Sequence, residues 1–107
     1  MFNLALCREG RSLILRLAGE LDLENAPDIQ DCLERLVEQG ERDIVVDLRL
    51  LTFCDSSGIS ALVLGYEACH TSGGRLRIRG ESGTVARVLE LSGVRAILAG
   101  SGARPSR

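Results

Sequence analysis

The sequence predicts an α/β fold: a single domain with a mixed sheet of four or five strands and helices packed on it. Three patterns carry that expectation. The N-terminal stretch alternates as a hairpin does, Ile44 to Leu48 is an almost unbroken β-branched run, and segments of helical periodicity lie on either side of that run. A length of 107 residues and a hydrophobic content of 45% suit one domain with a core of its own, needing no metal or disulfide staples.

Taken in chain order, Phe2 to Cys7 and Leu13 to Leu17 are the strands of a hairpin, with Glu9-Gly10-Arg11 as its turn. Gly19 is expected to break the second strand. Asn25 is placed to cap a helix whose first turn holds Pro27 and Asp28, residue types that favour a helix start. That helix should bury Ile29, Cys32 or Leu33, Leu36 and Val37, and Gly40 ends it. Ile44 to Leu48 suits a central strand covered on both faces.

A second helix, about Ser56 to His70, carries Ile59, Leu62, Val63 and Tyr66 as its apolar stripe, broadened by Ala61, Leu64, Gly65 and Ala68. Ser72-Gly73-Gly74 terminates it, and Leu76 and Ile78 then alternate with Arg75, Arg77 and Arg79 in a strand with one wet face. Strand, helix, strand in this order implies a parallel pair with a right-handed crossover. A third helix over about Thr84 to Leu91 should bury Val85, Val88 and Leu89, and Val94 to Leu98 reads as a short edge strand. The domain thus covers residues 1–99, and Gly100 to Arg107 reads as a loose tail.

Composition excludes several kinds of chemistry. All 13 basic residues are arginine, so a phosphate-binding loop of the G-x-x-x-x-G-K-[ST] type cannot form, nor can a Schiff base. A phospho-aspartate receiver, similar in size and element order, normally needs a lysine beside its acidic pocket. A formal charge of -2, with one tyrosine and two phenylalanines, provides neither a basic field nor a stacking platform for nucleic acid. Apolar runs fall well short of the ~18 residues that span a bilayer, and the N-terminus lacks a signal core. A cytoplasmic protein with no membrane or nucleic-acid partner is expected. Cys7, Cys32, Cys54 and Cys69 are scattered, with no C-x-x-C pair, and read as reduced, mostly buried thiols. Cys54, Cys69 and His70 have no recognised ligand spacing, so no metal is expected, and no residue pattern points to a cofactor.

The stretch with chemical content is Phe53-Cys54-Asp55-Ser56-Ser57-Gly58. It places a carboxylate and two hydroxyls where a strand passes into a helix, whose first N–H groups are unpaired and carry partial positive charge. A phosphate on Ser56 or Ser57 would sit in that field. The single histidine, His70, lies at the far end of the same helix, about 21 Å away at a rise of ~1.5 Å per residue. A serine–histidine catalytic pair is therefore not expected. The blander possibility is that Asp55 is only a helix cap and the serines only first-turn residues.

The order of elements, together with Gly19-Glu20-Leu21-Asp22 and Asp55-Ser56-Ser57-Gly58, resembles the bacterial anti-sigma-factor antagonists of the STAS-domain family. Leu17 to Pro27 is similar to the family's second strand and entry to its first helix, and Val45 to Gly65 to its third strand and phosphorylatable helix. The resemblance implies a protein-binding switch rather than an enzyme. Such proteins bind an anti-sigma factor that is also a serine kinase, and a PP2C-type phosphatase reverses the phosphorylation. The acceptor corresponds to Ser56, with Ser57 the less favoured hydroxyl. Asp22, Asp55, Ser56, Ser57 and Gly58 correspond to the partner-binding surface, to which Glu20 would add charge if it gathers at the same sheet edge.

Two departures bear on partner identity: Gly58-Ile59-Ser60 stands where many members have Gly-Leu-Gly, and arginines alone supply positive contacts. Asp22 also fits a solvated strand end, and Arg75, Arg77 and Arg79 a solvated strand face. Two other functions stay open: a STAS-like docking subunit of an ATPase-driven membrane or lipid transport complex, and a small serine enzyme using a base other than His70.

Overall fold

The computed structural model describes residues 1–98, and the expected tail, Gly100 to Arg107, lies outside the described residues. The chain runs β1 (Phe2–Glu9), β2 (Ser12–Leu21), α1 (Ala26–Glu38), β3 (Asp43–Cys54), α2 (Ser56–Thr71), β4 (Arg75–Arg79), α3 (Gly83–Leu91) and α4 (Arg95–Leu98). The four strands form one sheet in the order β1-β2-β3-β4. β1 and β2 are an antiparallel hairpin, whereas β2 with β3 and β3 with β4 are parallel, so the sheet is mixed as expected.

Gly19 bends β2 instead of ending it. It sits at φ +98°, at a register shift against β3, and a Cβ there would run into the Met1 carbonyl. The strand resumes through Glu20 and Leu21, and this extension carries Asp22 to the carboxyl end of the sheet. β3 likewise runs past Leu48 to Cys54, delivering Asp55 to that same end.

The core lies between one sheet face and the helices. Leu13, Leu15 and Leu17 of β2, Ile44, Val46 and Leu48 of β3, and Leu76 and Ile78 of β4 share it with helix residues. From α1 it takes Ala26, Ile29, Leu33 and Leu36, so Leu33 and not Cys32 is the inward residue, and Val37 is half-buried. α2 keeps Leu62, Ala61 and Gly65 of its expected stripe and departs from the rest. Its buried line is Gly58, Ala61, Leu62, Gly65 and Cys69, with Ile59, Val63 and Tyr66 only half-buried. Small residues let α2 approach closely: a Cβ on Gly65 would collide with the Leu33 side chain of α1.

α3 buries Val85 and Leu89, leaving Val88 half-buried. Val94 to Leu98 is not an edge strand. Leu98 N–H donates to the Val94 carbonyl at 3.0 Å, forming a helical turn that drops Leu98 into the core. A five-residue stretch with a single charge, Arg95, fits either period, and the core decides.

The opposite face of the sheet is covered by its own charged side chains. Ile14 and Val45 are buried there, outside the core cluster. Arg77 neighbours Val45 in register, while Arg16 and Arg79 reach across to carboxylates, so their stems shield the apolar strip. The β4 arginines are thus partly engaged, where the sequence suggested a solvated face.

Asp47, only 2% exposed, accepts from Arg16 Nε at 3.4 Å, Arg79 Nη2 at 3.4 Å and the Arg49 backbone N–H at 3.0 Å. Burial pushes its carboxyl up, but the Arg49 N–H and the charges of Arg79 and Arg49 together bring it below the usual value. Asp47→Asn is expected to cost about 1–3 kcal/mol at neutral pH, measured by urea unfolding. With the folded pKa depressed, the contribution is complete above the unfolded value of about 3.9 and disappears as pH falls through the folded value. The parent and the variant should therefore converge in stability in acid.

Candidate functional site at the carboxyl ends of β2 and β3

Leu21 and Cys54 are register partners on parallel strands, so the residues following them, Asp22 and Asp55, leave the sheet at the same end. The Asp55 backbone N–H donates to the Leu21 carbonyl at 3.2 Å, joining the two exits directly. Both sequence motifs therefore meet at one place.

On the β3 side Asp55 is the N-cap of α2. Its Oδ1 accepts from the backbone N–H of Ser57 at 2.9 Å and of Gly58 at 3.2 Å, and its carbonyl accepts from Ile59 N–H at 3.0 Å. Asp55→Ala should cost about 1 kcal/mol of stability, read by thermal unfolding, with fraying confined to the first turn of α2.

Ser56 occupies the first helical position and is exposed, and among the described residues its hydroxyl makes no hydrogen bond. Ser57 is half-buried. Among the described residues no base hydrogen-bonds Ser56: Asp55 Oδ1 accepts from the cap N–H groups, and His70 lies in the last turn of α2, against Tyr66 with ring centroids 4.0 Å apart. Burial, with the Asp55 charge adding to it, pushes the Cys54 thiol up to about 11, so it stays protonated and unreactive at neutral pH. Among the described residues the Ser56 hydroxyl is accessible and no side chain hydrogen-bonds it.

Gly58 sets the depth of this helix end. A Cβ there would lie 2.7 Å from Leu21 Cγ and 2.8 Å from Cys54 Sγ. Only a glycine lets α2 settle onto the two strand ends.

On the β2 side, the turn carrying Asp22 is fixed by Asn25. Its Oδ1 accepts from the Asp22 N–H at 2.9 Å, and its Nδ2 donates to the Glu20 carbonyl at 2.8 Å. Asn25 does stand at the N-cap position, but its side chain makes no cap hydrogen bond to α1 and holds the incoming turn instead. This residue escaped the sequence reading as a site element, although asparagine's turn chemistry pointed to it. Asp22 Oδ1 accepts from Glu24 N–H at 3.0 Å, and between them Leu23 stands 73% exposed. Leu23 was also missed; an apolar residue between two acids in a loop was its only mark. Glu20 is exposed and pairs with the N-terminal ammonium at 3.7 Å.

All four cysteines are free, with Cys54 and Cys69 buried, Cys32 half-buried and Cys7 exposed. Among the described residues no group of three or more His, Cys, Asp or Glu could hold a metal ion, and no helix is long and apolar enough to cross a membrane.

A small single domain with a four-stranded mixed sheet, its serine-bearing helix starting directly from the end of a parallel strand, defines the class. Residues 4–99 match the family model described as "Mlab, STAS domain", and the chain belongs to the STAS-domain family. Among curated relatives it is similar to the anti-sigma-B factor antagonist of Staphylococcus aureus (strain NCTC 8325 / PS 47), 29% identical over 84 residues, which are 78% of each chain. The protein of the same name from Staphylococcus epidermidis is 25% identical over 84 residues, again 78% of each chain. Among solved structures, the anti-sigma factor antagonist SpoIIAA in its unphosphorylated form superposes with a TM-score of 0.69 at 25% identity, covering 83% of both chains. The phosphorylated form of SpoIIAA from Bacillus gives a TM-score of 0.72 at 25% identity, covering 91% of this chain and 88% of that one. A putative anti-sigma factor antagonist from Thermotoga maritima shares the fold, with a TM-score of 0.82 at 23% identity over 90% of this chain and 83% of that one.

Proposed function

We propose that this protein is an anti-sigma-factor antagonist whose binding is switched by phosphorylation of Ser56. Unphosphorylated, it binds an anti-sigma factor that is also a serine kinase; phosphorylated, it releases that partner until a PP2C-type phosphatase restores it. Transcription is regulated indirectly, through the sigma factor set free. The observation that carries the reading is the exposed Ser56 hydroxyl at the first position of α2, with the second motif's Asp22 leaving the adjoining strand at the same end of the sheet. The likeness to SpoIIAA, solved in unphosphorylated and phosphorylated forms, supports the same assignment.

The energetics suit a switch. Phosphorylation adds about -1.5 to -2 charges and three acceptor oxygens. Asp55 already occupies the Ser57 and Gly58 N–H groups, so a phosphate on Ser56 cannot take those donors and is left at the surface near a carboxylate. The helix end tolerates the charge in the free domain, and the partner is the surface that rejects it. Asp22 adds a carboxylate at the same end of the sheet, and the exposed Leu23 offers the apolar contact of the docked state. Binding in this state covers the exposed Ser56 and the half-buried Ser57, while Gly58, already buried, sets the helix end beneath them; a phosphate there meets both like-charge repulsion and desolvation.

The test is calorimetric binding to an anti-sigma factor/serine kinase of the same cell, with and without ATP. Binding without nucleotide, and release with one phosphate gained when ATP is supplied, is the expected result. Co-purification with an ATPase complex, with no phosphate transfer to Ser56, would instead establish the docking-subunit function.

A further inference from the structure

The face of the sheet that carries no helix has more cationic donors than its own acceptors use. Five arginines, Arg16, Arg49, Arg75, Arg77 and Arg79, share the carboxylates of Asp43, Asp47 and Glu9 there. Asp47 and Glu9 are taken by hydrogen bonds from Arg16 and Arg79. The remaining three guanidinium groups form no side-chain hydrogen bond among the described residues. Arg49 reaches Asp47 only at 3.9 Å, Arg75 reaches Asp43 at 3.9 Å, and Arg77 reaches it at 3.6 Å. Asp43 Oδ1 and Arg77 Nε are buried without a hydrogen-bond partner. The Arg49 and Arg75 side chains are 68% and 62% exposed, on a chain whose net charge is -2.

Two apolar side chains adjoin these donors. Leu50 pairs in register with Ala18 and Phe53 with Glu20, each next in sequence to a core residue, Leu51 or Cys54, so both point to the open face. They are 53% and 43% exposed. From Asp43 to Phe53 the strand covers about 33 Å at ~3.3 Å per residue, the length of an extended segment of about eleven residues.

We propose that this open face, from Arg75 and Arg77 across Arg49 to Leu50 and Phe53, is a second docking surface whose occupant is an acidic polypeptide segment with an apolar anchor. Spare, exposed guanidinium groups pair with carboxylates in forked geometry, and an aromatic beside arginine is the composition found at the energetic centres of interfaces. A nucleic acid fits less well. Its evenly charged backbone would run over Asp43, Asp47 and Glu9, which interrupt the arginines, while a polypeptide can leave gaps in its charge. Because the surface lies on the face away from α2, it can be filled whether or not Ser56 is engaged, and it does not rest on the switch.

The test is amide NMR titration of the whole chain with a glutamate–tyrosine copolymer, with polyglutamate and oligothymidylate in parallel. The copolymer should shift residues 47–53 and 75–79 and leave Ser56 to Ile59 unmoved, equally in the parent and in Ser56→Ala. Arg49→Glu with Arg75→Glu should weaken the apparent affinity by about tenfold or more, and Phe53→Ser should bring the copolymer down to the polyglutamate value. If the doubly reversed variant does not fold by circular dichroism, Arg49→Gln with Arg75→Gln gives the same reading with a smaller loss. Absence of shifts on β3 and β4, shifts centred on Ser56, or oligothymidylate binding as tightly as the copolymer would each overturn the proposal.

Discussion

Ser56→Glu is expected to weaken binding to the anti-sigma partner more than 100-fold, about 3 kcal/mol, while Ser56→Ala binds as tightly as the parent and no longer responds to ATP. The asymmetry follows from the local geometry. Alanine removes a hydroxyl that makes no hydrogen bond among the described residues, so neither the fold nor the cap is disturbed. Glutamate adds a charge beside the Asp55 carboxylate, whose Oδ1 already holds the N–H groups of Ser57 and Gly58. That new charge must be desolvated when the partner docks. Calorimetric titration of both variants checks it. Equal binding by Ser56→Glu and the parent would remove Ser56 from the interface.

Gly58→Ala is the second change with a large expected effect. Its Cβ would stand 2.7 Å from Leu21 Cγ and 2.8 Å from Cys54 Sγ, both part of a packed core that yields little. A loss of about 1–3 kcal/mol in urea unfolding is expected, accompanied by outward movement of the first turn of α2. The displacement shifts Ser56 relative to Asp22, so kinase-dependent phosphorylation should slow by more than stability alone explains. Ser60→Ala, on an exposed position of the same helix, should change neither quantity. Gly58→Ala in combination with Cys54→Ala, which opens space beneath the new methyl, should recover part of the phosphorylation rate. Failure of that pair to recover anything would show that the glycine matters for a reason other than depth.

The serine-bearing helix end was legible from the chain because its determinants are local. An apolar strand, an aspartate able to cap, two small hydroxyl residues and an apolar helix follow one another directly, and each is found where its chemistry predicts. Asp22 was placed by resemblance only; its nearness to Asp55 depends on the parallel register of β2 and β3, which no local pattern encodes. Gly19 was misjudged because a strand-ending glycine and a bulge glycine look alike until the partner strand is known. In α2, periodicity correctly marked Leu62 but also favoured Ile59, Val63 and Tyr66, whereas close contact with Leu33 placed the small residues beside Leu62 inward. The arginines of β4 read as solvated because their acceptors, Glu9, Asp43 and Asp47, come from two other strands.

Intact-mass and site-mapping mass spectrometry of the protein isolated from its native cells, with and without phosphatase treatment, tests the switch most directly. One phosphate, removed by phosphatase and mapped to Ser56, is the predicted result. Consistent absence of phosphate across growth conditions, or its location on a residue away from the start of α2, would contradict it.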